Sequence, residues 1–464
     1  NYQGAISQAF DNGLSFRLSG EAEEADNYRD NNEAEYSNLF LNGGYKGDRF
    51  SVFVEAQQIE DDLRLPGSLT EEDIRQDRKQ TFSPDDYSDR DTDVYRTGGT
   101  LKFTENWELL AEYTRREEDS EGFLFGSSFD GKTELDSFEP RVAGKIDTAN
   151  GPILITAGVD YEDTNYVRSG DTDVDQEIVD IYTQVIVPVI EDVKLTVGAR
   201  NSDFEADNTL SGARFDDDLD VYQAGVAWAF NPSSRVFLRR DESFRWPNAD
   251  ENGFIPPDIR FLAPQESTSW ELGVESAFES FTVSAVLYDM EVDNEIIYDP
   301  SADGPFGAGT GANVNVDQSQ RTGAVLDGIW QATDSISVHL NYSYVDAEIS
   351  SGTFDGNTVP YVAESTANLT ISYLLNEHWT FYADAQYTGE RYPVGDEAND
   401  ADEIDDFTVF NANIRFDYRN AYANLRMNNF TGEEYNGFSG GLPPFDYNYP
   451  APEETFQFSV GYRF

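Results

Sequence analysis

Apolar and aromatic residues recur at every second position in segments of about ten residues, which is the period of a β-strand and not of a helix. Phe50 to Gln57 and Phe456 to Phe464 show the pattern most clearly, with one apolar face and one face that is small or polar except for Phe53. We expect Val52, Val54, Phe456 and Phe458 on the apolar outer face, and Phe53 and Gln457 on the inner one. Segments of this length are typical of strands that cross a membrane.

Ten tight turns divide the chain, and we expect a long, acidic connection rich in Gly, Pro and Asn between successive turns. Short turns at one end and long loops at the other are typical of an antiparallel transmembrane β-barrel with periplasmic turns and extracellular loops. Long loops are expected at about residues 61–90, 245–264, 293–311, 392–403 and 431–453. The tight turns are expected at Asp11-Asn12, Gly47-Asp48, Glu105-Asn106, Asn150-Gly151, Glu191-Asp192, Asn231-Pro232, Glu279-Ser280, Thr333-Asp334, Asn376-Glu377 and Arg419-Asn420.

One strand on each side of every turn, together with Thr455 to Phe464, makes an odd number of strands. A barrel of antiparallel neighbours needs an even number, and Tyr2 to Phe10 and Thr455 to Phe464 both run toward the periplasm. We therefore expect residues 1–464 to be a single barrel domain of the 22-stranded type, whose first strand precedes Asn1. A barrel this wide is plugged, so we also expect the plug to precede Asn1 or to be a separate chain.

The composition narrows the classes of function. The chain of 464 residues has 31 Lys and Arg against 89 Asp and Glu, a formal charge of -58, which argues against a nucleic-acid partner. It has no Cys and two His, so disulfide scaffolds, thiolate metal sites and most catalytic triads lack their residues. Aromatic residues make up 14%, which disfavours disorder and suits the aromatic girdles of a membrane barrel. The acid excess indicates a salt-adapted Gram-negative bacterium.

Several ordered segments resemble the barrel of TonB-dependent outer-membrane receptors. Ser243-Phe244-Arg245-Trp246-Pro247 is followed by Leu262-Ala263-Pro264-Gln265-Glu266 and Trp270-Glu271-Leu272-Gly273, in the order and spacing of that family. Further matches are Tyr288-Asp289, Asn294-Glu295-Ile296-Ile297, Asn315 to Gly323, Asn428-Asn429-Phe430 with Tyr435, and the terminal Phe464.

The resemblance implies an outer-membrane receptor that imports a scarce, bulky solute, an iron chelate (siderophore) or cobalamin. Its implied partners are the lipid and lipopolysaccharide of the outer membrane, a small-molecule ligand, and a TonB-type coupler of the inner membrane that acts through a plug. Neither the TonB box nor the plug lies within residues 1–464. Two alternatives stay open: a plugless passive pore, and a structural or adhesive barrel whose loops bind a partner.

Candidate site residues lie mainly in the long loops. Aromatic side chains there could stack on a flat ligand, and two arginines could anchor an anionic chelate, although belt residues and acid-paired arginines would have the same sequence signature. The candidate ligand-binding residues are Tyr87, Phe244, Arg245, Trp246, Tyr298, Arg391 and Tyr392.

Acidic side chains suggest two further roles. Asp216, Asp217 and Asp218 could hold Ca²⁺, although solvated surface acids are the simpler interpretation. The alternation around Trp270 predicts that Glu271 points into the lumen and contacts the plug, or else an arginine of a neighbouring strand. His339 and His378 are interpreted as ordinary strand or girdle residues. No catalytic residue and no cofactor is expected, calcium apart, and the protein is not expected to be an enzyme.

Overall fold

The computed structural model describes residues 1–169, 172–210, 212–305, 307–442 and 446–464. Nearly all secondary structure in this part of the chain is antiparallel β-strand. The bounds are β1 (Tyr2–Ala9), β2 (Leu14–Ala25), β3 (Ala34–Lys46), β4 (Phe50–Arg64), α1 (Glu71–Gln76), β5 (Tyr87–Lys102), β6 (Trp107–Leu124), β7 (Ser127–Phe138), β8 (Arg141–Thr148), β9 (Gly151–Arg168), β10 (Thr172–Ile190), β11 (Val193–Asn208), β12 (Ala213–Asn231), β13 (Ser234–Arg245), α2 (Ala249–Gly253), β14 (Gln265–Ala277), β15 (Phe281–Asp299), β16 (Ala312–Thr333), β17 (Ile336–Ile349), β18 (Ser365–Leu374), β19 (Trp379–Thr388), β20 (Phe407–Tyr418), β21 (Ala421–Asn428), β22 (Asn436–Gly440), β23 (Tyr447–Pro450) and β24 (Thr455–Tyr462). Neither of the two short helices found in the described ranges is long or apolar enough to cross a membrane.

One sheet contains all strands except β22 and β23, which form a small hairpin within a loop. The sheet has 22 strand segments, and β7 and β8 together form one interrupted strand, because both pair with β6 on one side and β9 on the other. The sequence predicted an antiparallel barrel sheet, and this is confirmed. Among the described pairings β1 is bonded only to β2 and β24 only to β21. The direct pairing of β1 with β24 that would contradict a missing strand is not among them, and that strand stays a prediction.

Each of the ten predicted tight turns connects two strands of the sheet. We call the strand ends opposite these turns the mouth. The connections there vary more in length than the sequence predicted. Strands β6 and β7 are joined by Phe125 and Gly126 alone, and along the sequence β10 begins four residues after the end of β9 and β12 begins five residues after the end of β11. The expectation of a long loop at every mouth connection was wrong at these three places. The strands instead extend far beyond the roughly 9–11 residues that cross a bilayer, because acidic side chains suit a strand surrounded by water.

The alternation separates a lipid-facing from an inner face as the sequence predicted. Val54 and Phe456 are 62% and 69% exposed on the outer face, where a membrane would cover them. Phe53 points inward, with its ring 5.9 Å from the guanidinium of Arg96, and Arg96 also bonds Glu55 on that face. A single-residue shift of register would reverse every one of these orientations.

Aromatic rings on the inner face repeatedly lie flat across a glycine of the adjacent strand. Phe237 on β13 is the direct register partner of Gly273 on β14, and a Cβ atom added at Gly273 would overlap with its ring. The arrangement recurs at Tyr182 with Gly158, Tyr288 with Gly323 and Tyr422 with Gly461. The many aromatic and Gly residues are therefore explained by these pairs on the inner face as well as by the interfacial girdles.

Loops near the first strands of the sheet contact loops near its last strands at the mouth. We call this arrangement the clasp. Leu69, between β4 and β5, forms a β-bridge with Asn448 of β23, and both residues are buried. The Tyr28 hydroxyl donates to Glu453 at 3.1 Å, and Arg78 donates to the carbonyl of Tyr435 at 2.9 Å. These contacts require the sheet to curl until the regions near its first and last strands are adjacent.

Arg29 stabilises the loop between β4 and β5, which is one of the loops of the clasp. Its side chain is buried, and its guanidinium donates to the carbonyl oxygens of Pro66, Gly67 and Gln80. Burial lowers the pKa of Arg29, opposed by the neighbouring Asp30 and tyrosines. Asn31 adds side-chain donation to the carbonyls of Leu65, Ser83 and Asp86. The loop between β4 and β5 is therefore held by polar contacts from the loop that precedes β3.

Candidate functional site

A large cavity lies on the inner wall, beneath the loop that follows β13. It has a volume of about 760 Å³ and is bounded mainly by β9 to β13. Two of the predicted ligand-binding residues, Phe244 and Trp246, form part of its upper boundary. Of the predicted set, these are the two that the structure brings together in this cavity.

Trp246 is buried in an aromatic cluster rather than exposed at the mouth. Its indole stacks on Phe204 with ring centroids 4.7 Å apart, and it meets Phe244 edge-on at 5.8 Å. The indole Nε1 donates to the Ser202 hydroxyl at 2.9 Å, which satisfies the polar atom of a buried tryptophan. The cluster turns the loop after β13 inward, so Trp246 fixes the upper boundary of the cavity.

The remainder of the cavity is strongly acidic. Arg200 bonds Asp180 at 2.6 Å and Asp160 at 3.1 Å, and its guanidinium lies 4.8 Å from the ring of Tyr182. Among the described lining residues Arg200 is the sole Lys or Arg. The carboxylates of the lining are Glu139, Asp160, Glu162, Asp180, Asp241 and Glu242. The cavity is therefore suited to cationic or neutral groups, whether these belong to a ligand or to a plug.

Arg245 is engaged by an acid, as the alternative interpretation of the sequence held. Its Nη1 lies 2.8 Å from both carboxylate oxygens of Glu251 in α2. Glu251 also belongs to the capping box of that helix, together with Asn248. The arginine consequently secures α2, and ligand contact by Arg245 stays a prediction.

Arg391 is buried, with 6% of its surface exposed, inside the loop between β19 and β20. Its guanidinium lies 5.0 Å from the ring of Tyr361 and 5.6 Å from that of Phe407, within cation–π range of both. Within the described ranges it has no carboxylate partner. The neighbouring Tyr392 accepts a hydrogen bond from the amide of Tyr361 through its backbone carbonyl. Both residues join loops at the mouth, and a ligand role for them stays a prediction.

The other two predicted aromatic residues lie apart from each other. Tyr87 is the first residue of β5, and the guanidinium of Arg64 lies 5.1 Å from its ring. Tyr298 is near the end of β15, half-buried, with its ring 6.1 Å from that of Phe254. Burial raises the pKa of Tyr298, with a contribution from Asp299. The sequence therefore marked mouth residues without indicating which of them share a cavity.

The proposed calcium ligands do not converge. Asp216, Asp217 and Asp218 are consecutive residues of β12 and not of a loop, so their side chains point alternately outward and inward. The inner position is that of Asp217, because its neighbours on that face, Phe215 and Leu219, pack against Phe204. No group of three acidic or histidine residues in the described segments could hold a metal ion. Calcium at this triplet therefore has no support among the described residues, because a strand separates side chains that a loop could bring together, and solvated acids stay the simpler interpretation.

Glu271 points to the inner face, as predicted, and is held by an arginine of the adjacent strand. Arg239 on β13 makes two bonds to its carboxylate, Nη2 to Oε1 at 2.7 Å and Nε to Oε2 at 2.9 Å. Trp270 and Leu272, on either side, are about half exposed on the outer face. A neighbouring-strand partner was one of the two alternatives for Glu271, and contact with a plug stays a prediction.

Glu271→Gln in the full-length protein is expected to raise ion leakage through the barrel while leaving ligand capture at the mouth nearly unchanged. The amide weakens a charge-assisted pair and frees Arg239, which disturbs the lumen wall against which a plug would lie. Conductance in planar bilayers and surface binding of ligand measure the two effects separately. Unchanged leakage with a severe loss of binding would instead make Glu271 a ligand residue. Glu275→Gln, which disrupts the similar pair with Arg235 nearer the periplasmic turn, is the matched control.

Glu397 is a candidate residue that the sequence did not reveal. It lies in the loop between β19 and β20, is 8% exposed, and lines a small apolar cavity at the mouth. Burial raises its pKa, with further contributions from Asp299 and Asp396. In a chain with 89 acids, one loop glutamate carries no sequence signal, because its burial depends on loops that are distant in sequence.

An antiparallel barrel with an apolar outer face, tight turns at one end and folded loops at the other is an outer-membrane β-barrel of a Gram-negative bacterium. The chain belongs to the TonB-dependent receptor family, because the sequence model of the TonB dependent receptor-like β-barrel matches residues 8–431. Members of this family are transporters and not enzymes.

Individual relatives are distant in sequence. The probable TonB-dependent siderophore receptor PiuA of Acinetobacter baumannii is 22% identical over 297 residues, which are 57% of this chain and 38% of that protein. The crystal structure of the siderophore receptor PiuA from Acinetobacter baumannii superposes with a TM-score of 0.84 at 16% identity, covering 99% of this chain and 79% of that chain. For the ferric citrate transporter FecA in its unliganded form the TM-score is 0.83 at 17% identity, covering 98% and 74%. At these identities the superpositions establish the fold.

Proposed function

We propose that the protein imports a neutral or positively charged ferric chelate by TonB-dependent, energy-coupled uptake. The observation that carries the proposal is the acidic cavity of the inner wall, in a chain that belongs to the TonB-dependent receptor family. Relatives that are named as siderophore receptors support iron as the cargo. The charge of the cavity supports the restriction on the chelate.

Electrostatics disfavours an anionic chelate in this barrel. Six carboxylates and one arginine line the cavity. That arginine, Arg200, is paired with Asp160 and Asp180, and arginines outside the lining pair with Asp241 and Glu242, so the acids still outnumber the arginines. The arginines that could have received an anion are otherwise engaged, Arg245 by Glu251 and Arg391 by two aromatic rings. An anion entering a cleft lined by like charge is repelled at long range and pays for desolvation at short range.

The proposed mechanism separates capture from transport. Folded loops at the mouth receive the chelate, and the acidic wall below them attracts a cationic or neutral ligand. The outer membrane has no energy source of its own, so an inner-membrane coupler supplies the work by pulling on a plug. Basic side chains on the plug would pair with the acidic wall in the resting state.

Uptake of radioactive iron by cells tests the proposal. The full-length gene is expressed in a host without its own ferric-chelate receptors, and the chelates are a neutral trihydroxamate, a cationic trihydroxamate and an anionic tricarboxylate, with labelled cobalamin as the competing cargo. We expect TonB-dependent uptake of the first two chelates, and at least about tenfold less uptake of the anionic one, the ratio for a 1.4 kcal/mol difference. A matched host without TonB is the control.

The other outcomes identify the alternatives. Cobalamin uptake in place of iron uptake would reassign the cargo, and preference for the anionic chelate would overturn the electrostatic argument. Uptake of small sugars without TonB would indicate a passive pore. Binding of a partner at the cell surface without any solute uptake would indicate an adhesive barrel.

A further inference from the structure

A small cavity lies on the inner side of the mouth, apart from the large acidic cavity. Its volume is about 150 Å³. The upper ends of β15, β16 and β17 bound it on one side, and the loops that follow β17 and β19 bound it on the other. Most of its lining is aliphatic, including Ile297, Val316, Ile349, Val359, Val362 and Val394.

The walls of this cavity are preformed. The Asn399 side chain accepts from the Thr358 amide at 2.7 Å and donates to the Thr358 carbonyl at 3.0 Å, which joins the two loops. Gly395 has a positive φ of 84°, and a Cβ atom there would lie 2.5 Å from Cγ of Pro300. Ile349 and Val359 are buried in a cluster with Ala347. Ligand binding in this cavity therefore has a small free-energy cost for ordering its walls.

Two charged groups of the lining neutralise each other. Arg321 bonds Glu295 at 2.6 Å and also donates to the Ser319 hydroxyl at 2.7 Å. Both side chains of the pair are mostly buried. Arg321 is therefore satisfied by its own neighbours.

Glu397 is the charged group that remains. The residue is 8% exposed, and within the described residues its carboxylate has no ion pair and no hydrogen bond to another residue; its own backbone N–H donates to it. Asn357 donates to the backbone carbonyl of Glu397 and not to its carboxylate. A buried carboxylate without a counter-ion costs free energy, and Asp299 and Asp396 nearby add to this cost.

The size and the lining restrict the occupant. A cavity of about 150 Å³ accommodates a group the size of benzene, which corresponds to a short aliphatic chain. Hard metal ions need several oxygen ligands, and the aliphatic walls do not supply them. The occupant must combine an apolar body with a positive end.

We propose that this cavity binds a short aliphatic chain that ends in a primary ammonium group, with Glu397 as its counter-ion. The inference rests on the proposed function and deepens it: the imported ferric chelate carries a free amino-alkyl tail, which this cavity recognises while the metal centre lies over the mouth.

Binding of small probes to the full-length protein in detergent tests the chemistry without any substitution. The probes are pentylammonium, 1-pentanol and pentanoate, which share one chain and differ in charge. Saturation-transfer NMR is expected to show pentylammonium binding about tenfold or more tightly than pentanol, the ratio for a charge-assisted contact of about 1.5 kcal/mol. Equal binding of pentanol, or tighter binding of pentanoate, would overturn the proposal.

Glu397→Gln tests the residue. It is expected to reduce pentylammonium affinity by about tenfold or more, while pentanol affinity stays unchanged. Glu403→Gln is the matched control, because Glu403 is an exposed acid of the same loop and its loss should leave both affinities unchanged. Folding of each variant is checked by the heat-dependent gel mobility of the barrel. Unaltered pentylammonium binding in folded Glu397→Gln would overturn the assignment.

Transport separates this inference from the proposed function. The cell assay compares a ferric trihydroxamate that has a free aminopentyl tail with the same chelate after N-acetylation. Preference for the free amine in the wild type, and its loss in Glu397→Gln, would support the tail site. Equal uptake of both chelates would overturn the tail site and leave iron import standing. Pentylammonium binding through Glu397 without any iron uptake would leave the site standing and overturn the proposed function.

Discussion

Replacing Gly273 with alanine is expected to lower the free energy of unfolding of the barrel by about 1–3 kcal/mol, the usual cost of overpacking. The Phe237 ring lies across Gly273 so closely that a single methyl group overlaps with it. The ring must therefore rotate away from the strand and lose its contact with the wall. The measurement is the urea midpoint of unfolding in detergent micelles.

Two comparisons isolate the steric cause. Gly43→Ala on β3 is the control, because its Cβ would have no neighbouring atom within 4 Å, and it should be neutral or slightly stabilising. Phe237→Ala should suppress the effect of Gly273→Ala, since neighbouring substitutions that act through one contact are not additive. Equal destabilisation by Gly43→Ala and Gly273→Ala would contradict this explanation.

Arg29→Met is expected to destabilise the closed form of the loop between β4 and β5 by about 3 kcal/mol, the upper range for one hydrogen bond to a charged group. Methionine approximates the length of the side chain but leaves the carbonyls of Pro66, Gly67 and Gln80 without their donor. The loop should then open more often. Hydrogen exchange of residues 65–86, followed by mass spectrometry, measures the change directly.

Arg75→Met is the matched control in the same loop. Arg75 lies on α1 with 65% of its side chain exposed and pairs with Glu71 and Glu72. Exposed pairs of this kind contribute about 0–1 kcal/mol. If both variants exchange at the same rate, Arg29 does not secure the loop.

The sequence was most informative about the strands and least informative about the mouth. Alternation placed Val54 outside and Phe53 inside because one face must meet lipid and the other must not. The tight turns were recognisable because Gly, Asn and Asp tolerate their backbone conformations. Both signals depend on residues that are close together in the sequence, so a single sequence was sufficient to recognise them.

Side chains at the mouth depend on contacts that no local pattern encodes. The sequence suggested that Trp246 could stack on a ligand, but it did not indicate that the indole packs on Phe204 and donates to Ser202 of another strand. Asp216 and its acidic neighbours, considered as calcium ligands, instead continue a strand above the membrane. Glu397 gave no signal at all, because its burial follows from the packing of strand ends and loops that are distant in sequence.

The clasp has a consequence for the order of assembly. The Tyr28 hydroxyl and Glu453 are separated by 425 positions along the chain, so their contact closes nearly the largest loop that this chain can form. Loop-closure entropy makes such contacts slow to form before the intervening strands are in place. The bridge between Leu69 and Asn448 therefore forms late, after the strands between them have been inserted. Protease resistance of this pair of loops would then mark barrels whose insertion is complete, and nascent barrels in transit through the assembly machinery would be cut there first.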